Sequence, residues 1–266
     1  MKKYFKIAAI IFLTAILSTS CKSQFDALLQ SNDVDELYSG AFHYFNNGRY
    51  SRAADLFDKL VLATRGTSRD DTVQFYLGLS NYRFGDLLIA EANFDQFISV
   101  FPRSPFTEEA KYLRIECLYG STYRYELDQT PTYKAMSAIN IFLYEYPDTK
   151  YLVRMRDMLV DLQERLDRKS FESAKLYYTI EDYKAAAYAL KTVLKDNSEN
   201  QYREDILYYI VAANYQYAIN SVRSRQRERF LALVDEYYNF ISEYPDSDYR
   251  QEVDMMFDRA QSFLRN

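Results

Sequence analysis

Few side chains in this 266-residue chain are suited to covalent or metal chemistry. It has one histidine, His43, set between Phe42 and Tyr44, and two cysteines, Cys21 and Cys117. A zinc site of the N/S type draws about four ligands from Cys and His, more than these residues can supply. A nucleophile–histidine pair would rest on His43 alone, and no GxSxG elbow accompanies it. The six glycines are scattered singly and form no phosphate-cradling loop. Carboxylates do occur in adjacent pairs, at Asp70–Asp71, Glu108–Glu109 and Glu181–Asp182. On helices such pairs mark solvated faces or first turns, where they complement the helix dipole. No catalytic residue, metal site or cofactor is expected. The chemistry predicted is binding.

Cys21 is the exception, and its neighbours decide its role. It lies in "LSTSCKSQ" (17–24), after a basic start (Lys2, Lys3, Lys6) and the uninterrupted apolar run Ile7 to Leu17. A helix that short reaches roughly 17 Å, well under a hydrocarbon core of about 30 Å. The run has the length of a secretory h-region. With the small residues Ser18, Thr19 and Ser20 before the thiol, the segment resembles a bacterial lipobox, although Ser18 stands where Leu is usual. That resemblance implies removal of residues 1–20 and a lipid on Cys21. The alternative is an ordinary cleaved signal peptide followed by a free cysteine. Lys22 is not the Asp that retains some lipoproteins in the inner membrane, so delivery to the outer membrane is expected.

Composition restricts the partners. Removing residues 1–20 takes three lysines and no acids, leaving 30 basic and 38 acidic side chains and a formal charge of −8. That balance argues against a nucleic-acid surface, which would need a basic stripe. With Cys21 acylated, Cys117 is the remaining thiol and no intrachain disulfide can form. Its setting, "YLRIECLYG", predicts a small buried hydrophobe. Few Gly and Pro beside 27 Tyr and 18 Phe predict long helices with aromatic seams.

The elements that carry these residues repeat. "FPRSPF" (101–106), "YPDTKY" (146–151) and "YPDSDY" (244–249) each follow a helical pattern, with Phe97, Phe142 and Phe240 five residues before the Pro. "KDNSENQY" (195–202) has the same shape with Ser198 for Pro. Each Pro predicts a helix stop, and the Ser or Thr two residues on predicts the next cap. A period in the forties with helix pairs between the marks predicts an all-α chain of the α-solenoid class. In "AFHYFNNGRYSRAADLFDKL", Ala41, Tyr44, Gly48, Tyr50, Ala53, Phe57 and Leu60 fall in a register that resembles a tetratricopeptide repeat. Small residues at 41 and 53, or at Gly78 and Ala90, let paired helices approach closely. Five helix pairs are expected over about 34–67, 71–104, 107–147, 167–198 and 202–245, then a capping helix from Asp248 to Leu264. The expected segments are a signal peptide (1–20), a lipidated tether (21–32), repeats one to three (33–147), and repeats four and five with the cap (148–266).

A lipobox followed by five such repeats resembles the BamD family of outer-membrane β-barrel assembly lipoproteins. "RYSRAADLFDKL", "TRGT" (64–67), "LDQTPT" (127–132), "YKAAAYALKTVL" and "YQYAINSVRSRQRERF" carry the resemblance over essentially the whole mature chain. It implies a lipid-anchored, periplasm-facing scaffold without enzymatic activity or cofactor. Such a scaffold docks on the POTRA domains of the barrel protein BamA beside other assembly lipoproteins, and it helps receive unfolded outer-membrane proteins. Three alternatives stay open: a tetratricopeptide adaptor for cell-wall or division machinery, a SusD-like glycan-binding lipoprotein, and an envelope enzyme. The ligand-facing positions of a tetratricopeptide repeat fall here on Tyr38, Phe42, Phe45 and Asn46, then on Phe75, Leu79, Tyr82 and Arg83. An aromatic groove of this kind suits the aromatic-rich C-terminal segment of a barrel protein, with Arg83 pairing the terminal carboxylate. By the same family resemblance, Arg203 in "NSENQYREDILYY" stands where a basic residue meets an acid of BamA.

Overall fold

The structure is a computed structural model that describes residues 24–265, so the expected signal peptide and Cys21 lie outside the described residues. Twelve helices are found among the described residues: α1 (Gln24–Gln30), α2 (Val34–Asn46), α3 (Tyr50–Thr64), α4 (Asp70–Phe84), α5 (Leu87–Val100), α6 (Thr107–Gly120), α7 (Thr130–Glu145), α8 (Leu152–Thr179), α9 (Tyr183–Asp196), α10 (Arg203–Ile219), α11 (Arg223–Glu243) and α12 (Arg250–Arg265). No strand occurs among them. The fold class is all-α, of the tetratricopeptide solenoid type, with α12 closing the series.

Contacts divide the chain into two compact units, one of residues 24–122 and 137–151, the other of residues 123–136 and 152–265. The boundary therefore falls after 151 and not at 147, and the insert before α7 goes with the second unit. Lys169 explains the latter, since its Nζ donates to the carbonyls of Tyr125 (3.2 Å) and Leu127 (2.7 Å). Arg168 adds to this by lying over the Tyr125 ring at 4.4 Å.

In the first unit, α2 with α3 and α4 with α5 form the hairpins read from the sequence. Asp33 caps α2 by accepting from the N–H groups of Asp35 and Glu36, and Asp86 caps α5 by accepting from Ile89 N. The apolar stripes meet inside: Leu37, Ala41, Leu56, Phe57 and Leu60 form one cluster, and Phe75, Phe94, Phe97 and Cys117 belong to the next. Gly78 is needed for closeness, because a Cβ there would sit 2.9 Å from Phe94 Cε1. Both hairpins turn through a left-handed glycine, Gly48 (φ 69°) and Gly85 (φ 97°).

The second unit uses the same turn without glycine. Glu181 N bonds Tyr178 O and Asp182 N bonds Tyr177 O, the pattern that Gly85 and Asp86 make with Tyr82 and Asn81. Glu181 accordingly carries the left-handed φ of 64°, strained for a residue with a Cβ. Around it α8, α9, α10, α11 and α12 enclose one core that includes Phe171, Leu190, Ile210, Val211, Phe230, Leu233 and Phe240.

Three local expectations are corrected. Residues 24–30 are helix, not tether: Phe25 meets Tyr44 edge-on at 5.4 Å, and Lys59 Nζ donates to Leu29 O and Ser31 O. The first helix of the fourth pair begins at Leu152, not near 167, and runs 28 residues because no Pro or Gly interrupts "LVRMRDMLVDLQERLDRKSFESAKLYYT". The linker hydroxyls are not N-caps. Ser104, Thr149 and Ser247 accept from the N–H two residues on, holding the linker turn before the helix starts.

Candidate functional site

Each hairpin is closed by a clamp that decides which of the candidate residues remain available. A carboxylate near the start of a first helix, or in the middle of the long α8, grips the linker that follows its own hairpin. Asp35 pairs with Arg69 (2.5 Å), Asp71 accepts from Ser104 Oγ (2.8 Å), Glu108 from Thr149 Oγ1 (2.7 Å) and Asp205 from Tyr249 OH (2.6 Å). Asp167 does most: it accepts from Gln163 Nε2 (2.7 Å), Asn197 Nδ2 (2.9 Å) and Gln201 N (3.0 Å), and it is only 3% exposed. Three or four residues after each acid, one turn on, an aromatic receives a planar group of the linker. The pairs are Tyr38 under Arg69 (4.7 Å), Phe75 on Phe106 (4.6 Å), Tyr112 on Tyr151 (3.7 Å), Phe171 on Tyr202 (5.3 Å) and Tyr208 on Tyr249 (4.0 Å).

This clamp corrects two of the residues expected to face a ligand. Phe75 is 3% exposed among Phe94, Phe97 and Phe106, and Tyr38 lies beneath the Arg69 guanidinium. Both hold linkers. Phe42 and Phe45 each meet Tyr76 edge-on, at 4.7 and 5.1 Å, and stay half-buried with Leu79 and Tyr82, while Asn46 and Arg83 are exposed. The first unit therefore brings Phe42 and Phe45 together around Tyr76, an aromatic that sequence reasoning passed over.

Arg203, the first residue of α10, is engaged internally. It makes a two-pronged pair with Glu243 at the end of α11, with Nη2 to Oε2 at 2.8 Å, and Nη1 donates to Ser198 O at 2.9 Å. The hydrogen bond from Arg203 holds the Glu243 carboxyl below the usual carboxylate range. Neither Glu199 nor Asp205, acids close by in sequence, is its main partner.

The second unit also holds a groove of about 780 Å³ that the sequence did not disclose. Small residues on α8 and α9 (Ser170, Ser173, Ala174, Ala185, Ala189) leave it open, and Tyr133, Tyr177 and Tyr188 stand exposed at its sides. Its lining mixes apolar side chains with a few polar groups. The groove contains no Cys, His or Lys.

Reactive groups are held quiet. Burial, reinforced by Glu91 and Glu116, pushes the Cys117 thiol up to about 12, so it stays protonated and inert. Among the described residues no three His, Cys, Asp or Glu side chains are grouped to hold a metal ion, and no helix is long and apolar enough to cross a membrane.

Comparison with known proteins gives a family match over residues 30–230, to YfiO, described as an outer membrane lipoprotein. Two curated relatives are each described as outer membrane protein assembly factor BamD. One, from Caulobacter vibrioides, is 22% identical over 82% of this chain and 72% of its own length. The other, from Buchnera aphidicola, is 21% identical over 77% of this chain and 88% of its own. Among solved structures, the TPR2AB-domain:pHSP90 complex of yeast Sti1 covers 86% of this chain and 98% of its own, with a TM-score of 0.42 at 13% identity. The P58(IPK) TPR domain covers 87% of this chain and 66% of its own, with a TM-score of 0.39 at 14% identity.

Proposed function

The chain belongs to the YfiO family of outer membrane lipoproteins, and on that premise we propose that it is a non-enzymatic scaffold of outer-membrane β-barrel assembly. The observation that carries this reading is the family match over residues 30–230, from the first helix pair into the fifth, joined to relatives described as outer membrane protein assembly factors. In it, Cys21 bears the lipid, the repeats face the periplasm, and the partners are a BamA-type barrel protein with POTRA domains, companion lipoproteins, and the C-terminal segments of unfolded barrel proteins.

The receiving surface in the first unit is Phe42, Phe45, Leu79 and Tyr82, with Asn46 and Arg83 at its edge. Half-buried aromatics offer stacking area at low entropic cost, and Arg83 offers a charge-assisted bond to a terminal carboxylate. Photocrosslinking from positions 42, 45, 82, 177 and 188 to a C-terminal barrel peptide is the test. Crosslinks confined to positions 177 and 188 would move reception to the groove of the second unit.

For the BamA contact, Arg203 has to share its guanidinium between Glu243 and an acid of the partner. Comparing Arg203→Gln with Glu243→Gln separates the two roles. Loss of co-purification in Arg203→Gln alone supports the contact. Equal loss in both makes Arg203 a purely internal pair, and no loss in either places the contact elsewhere, with Arg223 to Arg229 next in line.

A further inference from the structure

We propose that the hairpin-turn edge of the first unit, carrying Arg49, Arg52, Phe84, Leu88 and Ile89, lies on the phospholipid surface into which Cys21 is anchored; this rests on the lipid-anchor reading given above. The turn α2–α3 and the turn α4–α5 lie side by side, since Phe84 borders the same hollow as Gly48 to Arg52. Three apolar side chains stand out there into solvent, Phe84 61% exposed, Leu88 79% and Ile89 49%. Isolated exposed apolar residues are ordinary, but here they cluster beside two arginines that form no ion pair among the described residues. The nearby carboxylate of Asp86 is turned onto Ile89 N at 3.2 Å. Apolar tips flanked by guanidinium groups without a carboxylate partner match the boundary between acyl chains and anionic headgroups.

The direction from which the chain arrives identifies the occupant. Phe25, in the first turn of α1, packs on Tyr44 and lies under Arg52 at 5.1 Å, so α1 begins at this edge. Its other end is held toward the opposite edge, where Lys59 takes the carbonyls of Leu29 and Ser31. Three residue steps separate Gln24 from Cys21, a reach of at most about 11 Å. The acyl chains and the exposed apolar cluster are thereby brought to one side. A second contact beside the lipid on Cys21 adds apolar burial to the anchoring. It would also fix the orientation of the repeats above the surface.

The opposite edge of the first unit supplies the control, because it too has an exposed apolar residue, Val100, and a basic one, Arg103. The full lipoprotein is placed on vesicles of phosphatidylethanolamine and phosphatidylglycerol, with a spin label introduced through Phe84→Cys, Leu88→Cys, Val100→Cys or Arg103→Cys. Buried Cys117 stays unlabelled. Collision of the label with oxygen, which partitions into lipid, is compared with collision by a water-soluble nickel chelate, and intact mass reads acylation of the same samples. The expected result is a several-fold higher oxygen-to-nickel ratio at 84 and 88 than at 100 and 103. Acylated protein with equal ratios at all four positions overturns the edge and leaves the anchor standing. Protein without acyl groups refutes the anchor. The edge then stands only if that protein still binds the vesicles with the same contrast, and fails if it does not bind. As a second measure, Leu88→Asp should lower the oxygen-to-nickel ratio of a label at 84, and an unchanged ratio counts against the edge.

Discussion

Replacing Asp167 by Ala should cost the chain about 3 kcal/mol of stability, far more than removal of any equivalent clamp acid. Its carboxylate is buried and takes three hydrogen bonds, at 2.7, 2.9 and 3.0 Å, from Gln163, Asn197 and Gln201 N. Bonds to a charged acceptor contribute about 1.5–3 kcal/mol each, which would give a larger total if all three donors were left unpaired. Gln163 and Asn197 also line the open groove, so water can reach them and the loss shrinks toward the lower end. Asp167→Asn keeps the shape and one acceptor, and should cost about half as much. Glu108→Ala removes one bond at a half-buried position, about 1 kcal/mol, and Asp71→Ala removes one linker bond besides two local ones from Thr72. Asp35, whose side chain is 81% exposed, should contribute least of all through its solvent-screened pair with Arg69. Urea unfolding followed by far-UV circular dichroism reads the series, with a midpoint shift of about 1 M for Asp167→Ala. The reasoning is refuted if Asp167→Ala shifts the midpoint no more than Asp35→Ala does.

Further outcomes follow from single residues. Glu181→Gly relieves a left-handed side-chain residue at a turn where the first unit uses glycine, and should raise stability by about 0.5–1 kcal/mol in the same assay. Alkali should weaken the second unit. Burial and a hydrogen bond to Glu164 push Tyr202 up to about 12, and burial with Asp254 does the same for Tyr237. A free phenol ionises near pH 10 (about 10), so this stability is complete below that pH and is lost as pH rises toward 12; melting at stepwise higher pH should fall less steeply in Tyr202→Phe. Cys21→Ala should leave the membrane fraction or remain at precursor size, and outer-membrane pelleting at mature size would contradict the anchor.

Much of the fold was legible because its signals are local. Pro102, Pro147 and Pro245 stop helices, and Gly48 and Gly85 mark hairpin turns, so pairs one, two, three and five lie close to where the pattern put them. The fourth pair was misplaced at its start because residues 152–166 have helical periodicity but no small residue in tetratricopeptide register. The site was less legible, because a side chain's spacing does not reveal what returns to cover it. Tyr38 and Phe75 occupy ligand-facing register, yet Arg69 and Phe106 arrive from linkers more than thirty residues away. A usable signal was present: an acid followed three or four residues later by an aromatic recurs in all five pairs, from Asp35 with Tyr38 to Asp205 with Tyr208. The partner of Arg203 was hidden for the same reason, Glu243 being forty positions on.

The central claim is that this chain works as a scaffold of outer-membrane barrel assembly, and affinity isolation of the full-length lipoprotein from detergent-solubilised outer membranes tests it most directly. The account predicts that a large barrel protein with periplasmic POTRA domains comes down with it in near-equal amount and survives a salt wash. Recovery of cell-wall or division enzymes in that place, with no barrel protein present, would contradict it.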